Sequence, residues 1–394
     1  MLTKTTESLP PYGNGTLPTS IRSRHVDNNN GLMVHILEAG FETPGRPCAL
    51  LLHGFPELAY SWRKVMLPLA AAGFHVVAPD MRGYGRTTGW DGSYDAEQDP
   101  FRMLNMVRDA TGLVHALGYK SVAGVAGHDA GSPVAAWCAL VRPDVFRKVV
   151  LMSSPFPGAP APALDTANGA APPRPPQTDD ELDAELGKLP RPRKYYQNHQ
   201  RTPGANDDML HAPQGLHAFF RAYYHYKSAD WKENKPHPLK ARTAEEMAKM
   251  PTYYVMDKDK GMAANVAPFM PSAAEIAACQ WLTDDEVAVY ATEYARTEFT
   301  GALQGYRVRR GNDPKSVAEM RTFAGRTIDV PACYIAGKAD WGTYQMPGAF
   351  DAMQSRACTN WHGVHLVEGA GHWVQQEQPE AVSNILMEFF REPS

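Results

Sequence analysis

The apolar positions of the chain fall into short continuous runs, and most runs end at a glycine or proline turn that a helical pattern follows. The runs occupy residues 49–52, 75–78, 122–126, 148–152, 332–336 and 364–367. Continuous apolar strands that alternate with helices are typical of a parallel sheet covered on both faces. The pattern therefore predicts an α/β fold with a mostly parallel, doubly wound sheet.

A long interval of different character separates the fourth run from the fifth. It opens with a Pro/Ala-rich stretch at 155–176, whose composition suits an extended connector. From 179 to about 321 the pattern is helical, with many aromatic residues and no convincing strand. An independent helical domain would give the same pattern, but core-type strands resume afterwards, which favours a cap inserted into one sheet. The predicted parts are a flexible N-terminal arm at 1–25, an α/β core at 26–157 and 325–394, and a connector with a helical cap at 158–324.

Composition and charge exclude several classes of protein. The net charge is −4 and no block of Lys or Arg stands out, so nothing indicates binding to nucleic acid or to an anionic membrane. No apolar stretch is long enough to span a bilayer, and the first residues lack the apolar segment of a secretory signal. The five cysteines are scattered without a CxxC pair, which argues against a disulfide framework or a thiolate zinc site. We therefore expect a cytoplasmic protein.

The first candidate for chemistry is the pentapeptide Gly-His-Asp-Ala-Gly at 127–131, which directly follows the third apolar run. A functional side chain on a sharp strand-to-helix turn needs small neighbours, because the backbone segments approach closely there. The better-known form of this turn has Ser at its centre, whereas here the central residue is Asp129. An aspartate that caps the following helix would fit the local pattern equally well. The residues at the other strand ends therefore have to decide between a nucleophile and a helix cap.

Two further candidates also follow predicted strands. Asp340 lies in the turn after the run at 332–336, and His372 lies in a glycine-flanked turn after the last run. Catalytic sites of parallel α/β sheets lie at the carboxyl ends of the strands. Asp329 precedes its strand and so lies at the wrong end of the sheet. The chain order of Asp129, Asp340 and His372 matches the nucleophile, acid and base of enzymes with this type of turn.

An oxyanion site is predicted beside the nucleophile. The chemistry needs backbone N–H groups aimed at the oxygen that becomes negative, and the N–H groups of Ala130 and Phe55 are the candidates. Pro56 would hold the loop that carries Phe55 rigid. Pro56 and Trp373 are also candidates for the wall of the substrate pocket.

Five motifs of the chain together resemble those of soluble epoxide hydrolases in the α/β-hydrolase superfamily. They are His-Gly-Phe-Pro-Glu at 53–57, Ser-Trp-Arg at 61–63, Asp-Met-Arg-Gly-Tyr-Gly at 80–85, the Gly-His-Asp turn, and Gly-His-Trp at 371–373. The resemblance covers roughly 30–157 and 328–392. It implies cofactor-independent hydrolysis of a small-molecule epoxide to a vicinal diol. The route passes through a covalent hydroxyalkyl ester on Asp129, which water activated by His372 and Asp340 hydrolyses, and no metal is expected.

The resemblance also implies that the cap contributes two tyrosines, whose hydroxyls hold and protonate the epoxide oxygen. One lies in a segment like 301–307 and maps to Tyr306. The other lies shortly before a Pro-Gly pair and maps to Tyr196, with Tyr195 as the alternative. A helix turns neighbouring residues about 100° apart, so only one of this pair can face the site.

Other activities fit parts of the pattern. A haloalkane or haloacid dehalogenase would use the same aspartate nucleophile, but those enzymes usually place Trp or Arg where this chain has Ala130. Many epoxide hydrolases also carry Trp there, so Ala130 indicates a different pocket wall. A non-catalytic binding protein and an enzyme that opens epoxides intramolecularly are further alternatives. The long cap would suit a bulky substrate or a homodimer, and the sequence leaves these open.

Overall fold

The structure is a computed structural model that describes residues 9–173, 177–310 and 313–392. The core of the protein is one eight-stranded sheet. The strands of this sheet are β1 (Arg22–Asp27), β2 (Met33–Ala39), β3 (Cys48–Leu52), β4 (His75–Pro79), β5 (Gly124–His128), β6 (Val149–Met152), β9 (Ala332–Gly337) and β10 (Trp361–Val367). A separate pair consists of β7 (Arg193–Tyr195) and β8 (Val255–Asp257). The sheet order is β1-β2-β4-β3-β5-β6-β9-β10. Strands β1, β2 and β4 pair antiparallel, and all other neighbours pair parallel. The predicted mostly parallel α/β core is confirmed.

Helices cover the sheet and build the cap. They are α1 (Arg63–Ala71), α2 (Met103–Ala116), α3 (Gly131–Val141), α4 (Asp179–Leu186), α5 (Tyr196–Gln200), α6 (Ala205–Leu210), α7 (Leu216–Lys227), α8 (Ala244–Met247), α9 (Met262–Val266), α10 (Ala273–Ala278), α11 (Asp284–Thr297), α12 (Thr300–Arg310), α13 (Pro314–Arg321), α14 (Ala349–Ala352), α15 (Val374–Glu377) and α16 (Pro379–Arg391). On the core, α1 packs against α16 and α2 packs against α3. Helix α3 is apolar almost all round, and this composition suits its central position against β5 and β6.

The central strands were predictable because every residue of β3, β4, β5, β6 and β9 is buried. Strands β1 and β2 were not predicted. Strand β1 is an edge strand whose residues are mostly exposed, so it has no continuous apolar run. Its Arg22 and Arg24 form ion pairs with Glu38 of β2. The edge is thus held by cross-strand charge pairs.

The N-terminal arm is shorter than predicted. Strand β1 begins at Arg22, inside the range 1–25 that was expected to be flexible, and Tyr12 is buried against the core. The hydroxyl of Tyr12 donates a hydrogen bond of 3.3 Å to the buried carboxylate of Asp80. An aromatic ring with a polar tip can fill such a site while meeting a buried acceptor.

The cap is inserted between β6 and β9, as predicted, and contains helices α4 to α13. It also contains the antiparallel pair β7–β8, which the sequence analysis missed. Each of these strands has three residues, too few to show a periodic pattern. Of the predicted Pro-rich connector, residues 174–176 lie outside the described residues.

The contact between β5 and α3 requires glycine at position 127. A Cβ atom on Gly127 would lie 2.2 Å from the carbonyl oxygen of Gly131, and this backbone atom cannot turn away. We expect Gly127→Ala to lower the free energy of unfolding by about 3 kcal/mol, the upper end of typical overpacking costs. Chemical denaturation measures this change.

Gly204→Ala is the matched control. Gly204 has a φ of −79°, and a Cβ added there would meet no atom within 4 Å. This substitution should change stability by no more than about 1 kcal/mol, since it mainly restricts the unfolded chain. Equal stabilities for the two variants would show that the close approach at 127 is not a constraint.

Candidate active site

Asp129 lies at the junction of β5 and α3 with a φ of 50°, in the left-handed region. Non-glycine residues adopt this conformation rarely, and it tends to occur at functional sites. Neighbouring backbone approaches closely, because a Cβ on Gly54 would lie 2.4 Å from the Cβ of Asp129. The turn thereby holds the carboxylate at the carboxyl end of the central strands.

The structure brings Asp129, His372 and Asp340 together from three separate strand ends. His372 Nδ1 is 3.0 Å from Asp340 Oδ1, and His372 Nε2 is 3.3 Å from Asp129 Oδ2. The side chains of His372 and Asp340 are each 1% exposed, whereas that of Asp129 is 15% exposed. The imidazole is therefore held between two carboxylates, and only Asp129 is open to a ligand.

The loop after β3 also contacts the nucleophile position. The backbone N–H of Phe55 donates a hydrogen bond of 2.9 Å to Asp129 Oδ1. Ala130 follows at the start of α3 and lines the same cavity as Asp129. Both residues of the predicted oxyanion site thus lie next to the carboxylate.

Trp373 and Pro56, which were predicted to line the substrate pocket, do not line the cavity that contains Asp129. Trp373 is fully buried, and its indole N–H donates a hydrogen bond of 2.9 Å to the carbonyl oxygen of Tyr224 in the cap. Pro56 is also buried, and its carbonyl oxygen accepts a bond of 3.5 Å from the Tyr224 hydroxyl. The prediction for both side chains was wrong, because they anchor cap helix α7 to the core.

A cavity of about 150 Å³ opens beside Asp129 between the core and the cap. Tyr196 and Tyr306 line it, and their ring centroids are 6.1 Å apart. Tyr195 is not on this wall, so the structure distinguishes the two neighbours. A cavity of this volume holds a group about as large as benzene.

Two glutamines that the sequence analysis did not identify contact the Tyr196 hydroxyl. Gln197 Nε2 donates to it at 2.8 Å, and Gln345 Nε2 donates at 3.1 Å. Gln345 Nε2 also donates to the Tyr195 hydroxyl at 2.8 Å, so its two hydrogens serve two phenols. Since both amides donate to Tyr196, its own hydrogen must point away from them.

A buried lysine lies next to the site. Lys227 ends α7, and its ammonium group lies 4.8 to 5.7 Å from the centroids of four aromatic rings. The rings are those of Tyr223, Tyr253, Tyr254 and Trp373. Burial lowers the pKa of Lys227 to about 8, although the charges of Asp129 and Asp340 oppose this shift. The helical pattern alone gave no reason to expect a buried cation here.

The carboxylate and the two phenols have pKa values shifted in opposite directions. Burial raises the pKa of Asp129, but the hydrogen bond and charge of His372, with help from Lys227, outweigh it and leave the pKa well below its usual range. Burial raises the pKa of Tyr196 and Tyr306 well above 10, and neighbouring phenols and Asp129 add to the effect. At neutral pH the cavity therefore contains an ionised acid that faces two protonated phenols.

The turn that carries His372 is held by buried carboxylates. Glu377 accepts the N–H groups of Gly371 and Trp373 at 2.9 and 3.0 Å. His128 bonds Glu57 through Nδ1 at 2.5 Å, and its Nε2 donates to the carbonyl of His372 at 2.7 Å. These bonds fix the backbone on both sides of the imidazole.

The residues described contain no group of three or more His, Cys, Asp and Glu side chains placed to hold a metal ion. In the same part of the chain, no helix is long and apolar enough to cross a membrane. The five cysteines are all free thiols.

Comparison with known proteins agrees with this geometry. A family model described as alpha/beta hydrolase fold matches residues 50–379. "Epoxide hydrolase A" of Mycobacterium tuberculosis is 31% identical over 372 residues, which cover 93% of this chain and 96% of that protein. "Epoxide hydrolase 3" of Siraitia grosvenorii is 28% identical over 372 residues, with 92% and 96% covered.

Solved structures show the same similarity. An epoxide hydrolase from an endophytic Streptomyces superposes with a TM-score of 0.72 at 29% identity, over 94% of this chain and 96% of that chain. Potato (Solanum tuberosum) epoxide hydrolase I superposes with a TM-score of 0.70 at 26% identity, over 94% and 99%. The resemblance that the sequence motifs indicate is confirmed.

Proposed function

This chain belongs to the α/β-hydrolase fold family, and we infer that it is an epoxide hydrolase that converts a small-molecule epoxide to a vicinal diol. The observation that carries this function is the cavity in which ionised Asp129 shares a wall with the buried phenols of Tyr196 and Tyr306. Opening an epoxide needs a nucleophile at carbon and a proton donor at the leaving oxygen. The cavity offers both.

In the first half of the reaction, a carboxylate oxygen of Asp129 attacks one epoxide carbon. The carbon–oxygen bond of the strained ring breaks, and its electron pair moves to the oxygen. Tyr196 and Tyr306 donate hydrogen bonds to that oxygen, and one of them supplies its proton. The product is a hydroxyalkyl ester on Asp129.

In the second half, water hydrolyses this ester. Asp340 holds the Nδ1 side of His372, so Nε2 is free to take a proton from the water, which attacks the carboxyl carbon of Asp129. The N–H groups of Phe55 and Ala130 stabilise the negative oxygen of the tetrahedral intermediate. The diol leaves with the original carboxylate oxygen and takes up the proton that His372 had accepted. Asp129 keeps the oxygen of the water, and the second proton of that water returns to the tyrosinate.

This route predicts where a heavy-oxygen label goes. A single turnover in water containing oxygen-18 should place one labelled atom in the peptide that contains Asp129. His372→Gln should stop the second half and accumulate the ester, visible as a mass increase equal to that of the epoxide. Asp129→Asn is the control and should show neither change. A label that enters only the diol would contradict the covalent route.

The two adjacent tyrosines provide a matched pair of variants. Because Tyr196 lines the cavity and Tyr195 does not, Tyr196→Phe should slow ester formation by about 100-fold. This is the lower end of general-acid effects, since Tyr306 remains as a second donor. Tyr195→Phe should slow it by no more than about threefold, roughly the value of one lost hydrogen bond. Stopped-flow fluorescence at excess enzyme measures the ester-forming step. A larger effect for Tyr195→Phe would reverse the assignment.

Gln345 offers a test of how Tyr196 is oriented. Gln345→Leu removes one of the two amide donors to the Tyr196 hydroxyl, so that the phenol hydrogen is less restricted in direction. We expect ester formation to slow about fivefold, the value of one neutral hydrogen bond. The rate of ester hydrolysis in the same variant is the internal control and should stay unchanged. Equal slowing of both steps would indicate general damage to the site.

A dehalogenase is the alternative that shares the aspartate. Dehalogenases usually place Trp or Arg directly after the nucleophile to hold the departing halide, but Ala130 has no donor side chain and the Trp373 indole bonds the cap. Chloro- and fluoro-substrates assayed beside epoxides distinguish the two activities. A non-catalytic binding protein would bind epoxides without forming diol.

A cytoplasmic location is part of the same proposal and is supported by the five free thiols. A homodimer remains an expectation from the long cap.

A further inference from the structure

One positive side chain on the cavity wall has no part in the mechanism above. Arg309 lies on α12 three residues after Tyr306, so the two share one side of the helix. Both line the cavity that contains Asp129. The guanidinium carbon of Arg309 is 5.4 Å from the centroid of the Tyr306 ring. A cation therefore lies beside the phenol that faces the epoxide.

Arg309 is exposed and is without a hydrogen-bonding or ion-pair partner among the residues that the structure describes. Arg307 on the same helix differs, because it donates to the carbonyl of Tyr94 and to Gln304. Gly305 leaves room for Arg309 to fold back along α12, since a Cβ there would lie 3.0 Å from its Nη1. The guanidinium thus rests on the cavity wall with its hydrogens available.

The charges on the cavity wall are unevenly placed. Asp129 and Arg309 are the charged residues that line it, and Asp129 already faces the Phe55 N–H and His372. Gln197 also lines the cavity, and its buried Oε1 has no hydrogen-bond partner in the part of the chain described. The exposed Arg309 therefore places a cation without a described partner at the outer wall of the cavity, and Asp129 places a negative nucleophile at its inner end.

We propose that Arg309 is a specificity-determining residue, which selects compact epoxides that carry a carboxylate a few bonds from the oxirane ring. This inference rests on the proposed function. A guanidinium binds a carboxylate through two parallel hydrogen bonds. Repulsion from Asp129 keeps the substrate carboxylate at the outer wall, so the oxirane is the end that reaches the nucleophile. The volume of about 150 Å³ limits the substrate to a compact one.

Matched substrates test the charge without changing the shape. The first pair is 3,4-epoxybutanoate and its amide, and the second is 4,5-epoxypentanoate and its amide. The measured quantity is the ratio of kcat/KM for the acid to kcat/KM for the amide. Arg309→Gln should lower this ratio by about fivefold or more, as expected for a charge pair near the surface. Arg309→Lys should lower it less, because the charge remains.

Arg307→Gln is the matched control, because it removes the same charge from the same helix on a side chain that bonds Tyr94. It should leave the ratio unchanged. Added salt should lower the acid's kcat/KM in the wild type and affect the amide little. An unchanged ratio in Arg309→Gln, or an equal loss for acid and amide, would overturn this inference alone. No diol from any epoxide, with no label on Asp129, would overturn the proposed function as well.

Discussion

The site depends on a steric constraint at Asp129, where the backbone is left-handed and three neighbouring positions have no room for a side chain. A Cβ at 54, 127 or 131 would approach another atom to within 2.6 Å. The constraint brings the loop after β3 against the start of α3. Since the Phe55 N–H lies in that loop, the same close packing that strains Asp129 also places a donor on its carboxylate.

The cap also holds the turn that carries His372. The N–H of His372 donates to the carbonyl of Lys227 at 2.9 Å, and Glu377 bonds both the turn and the N–H of Ala229 in the cap. A Cβ on Gly371 would lie 2.6 Å from the Lys227 carbonyl oxygen. Movement of α7 would therefore disturb His372 as well as the four aromatic rings that surround Lys227.

The sequence was informative where function depends on strand ends. Asp129 and Asp340 follow strands whose residues are all buried, and His372 follows β10, which pairs parallel with β9. Their meeting at one edge of the sheet therefore follows from the parallel topology. The cap residues of the site were harder to predict from the sequence, because their positions depend on how irregular segments pack. The choice between Tyr195 and Tyr196 needed the end of β7 and the start of α5. Gln345 and Lys227 had no pattern to identify them, since most of their partners are far away in the chain.

The raised phenol pKa values are consistent with proton donation to an epoxide oxygen. The oxygen of an opened epoxide becomes an alkoxide, whose conjugate acid is comparable in strength to water, with a pKa near 15.7. Burial moves the pKa of Tyr196 and Tyr306 upward toward that value. A donor that approaches the acceptor in basicity stays protonated until the ring opens and still gives up its proton once negative charge develops. The apolar packing that closes the cavity therefore keeps both phenols protonated at neutral pH, while it makes each of them a weaker acid.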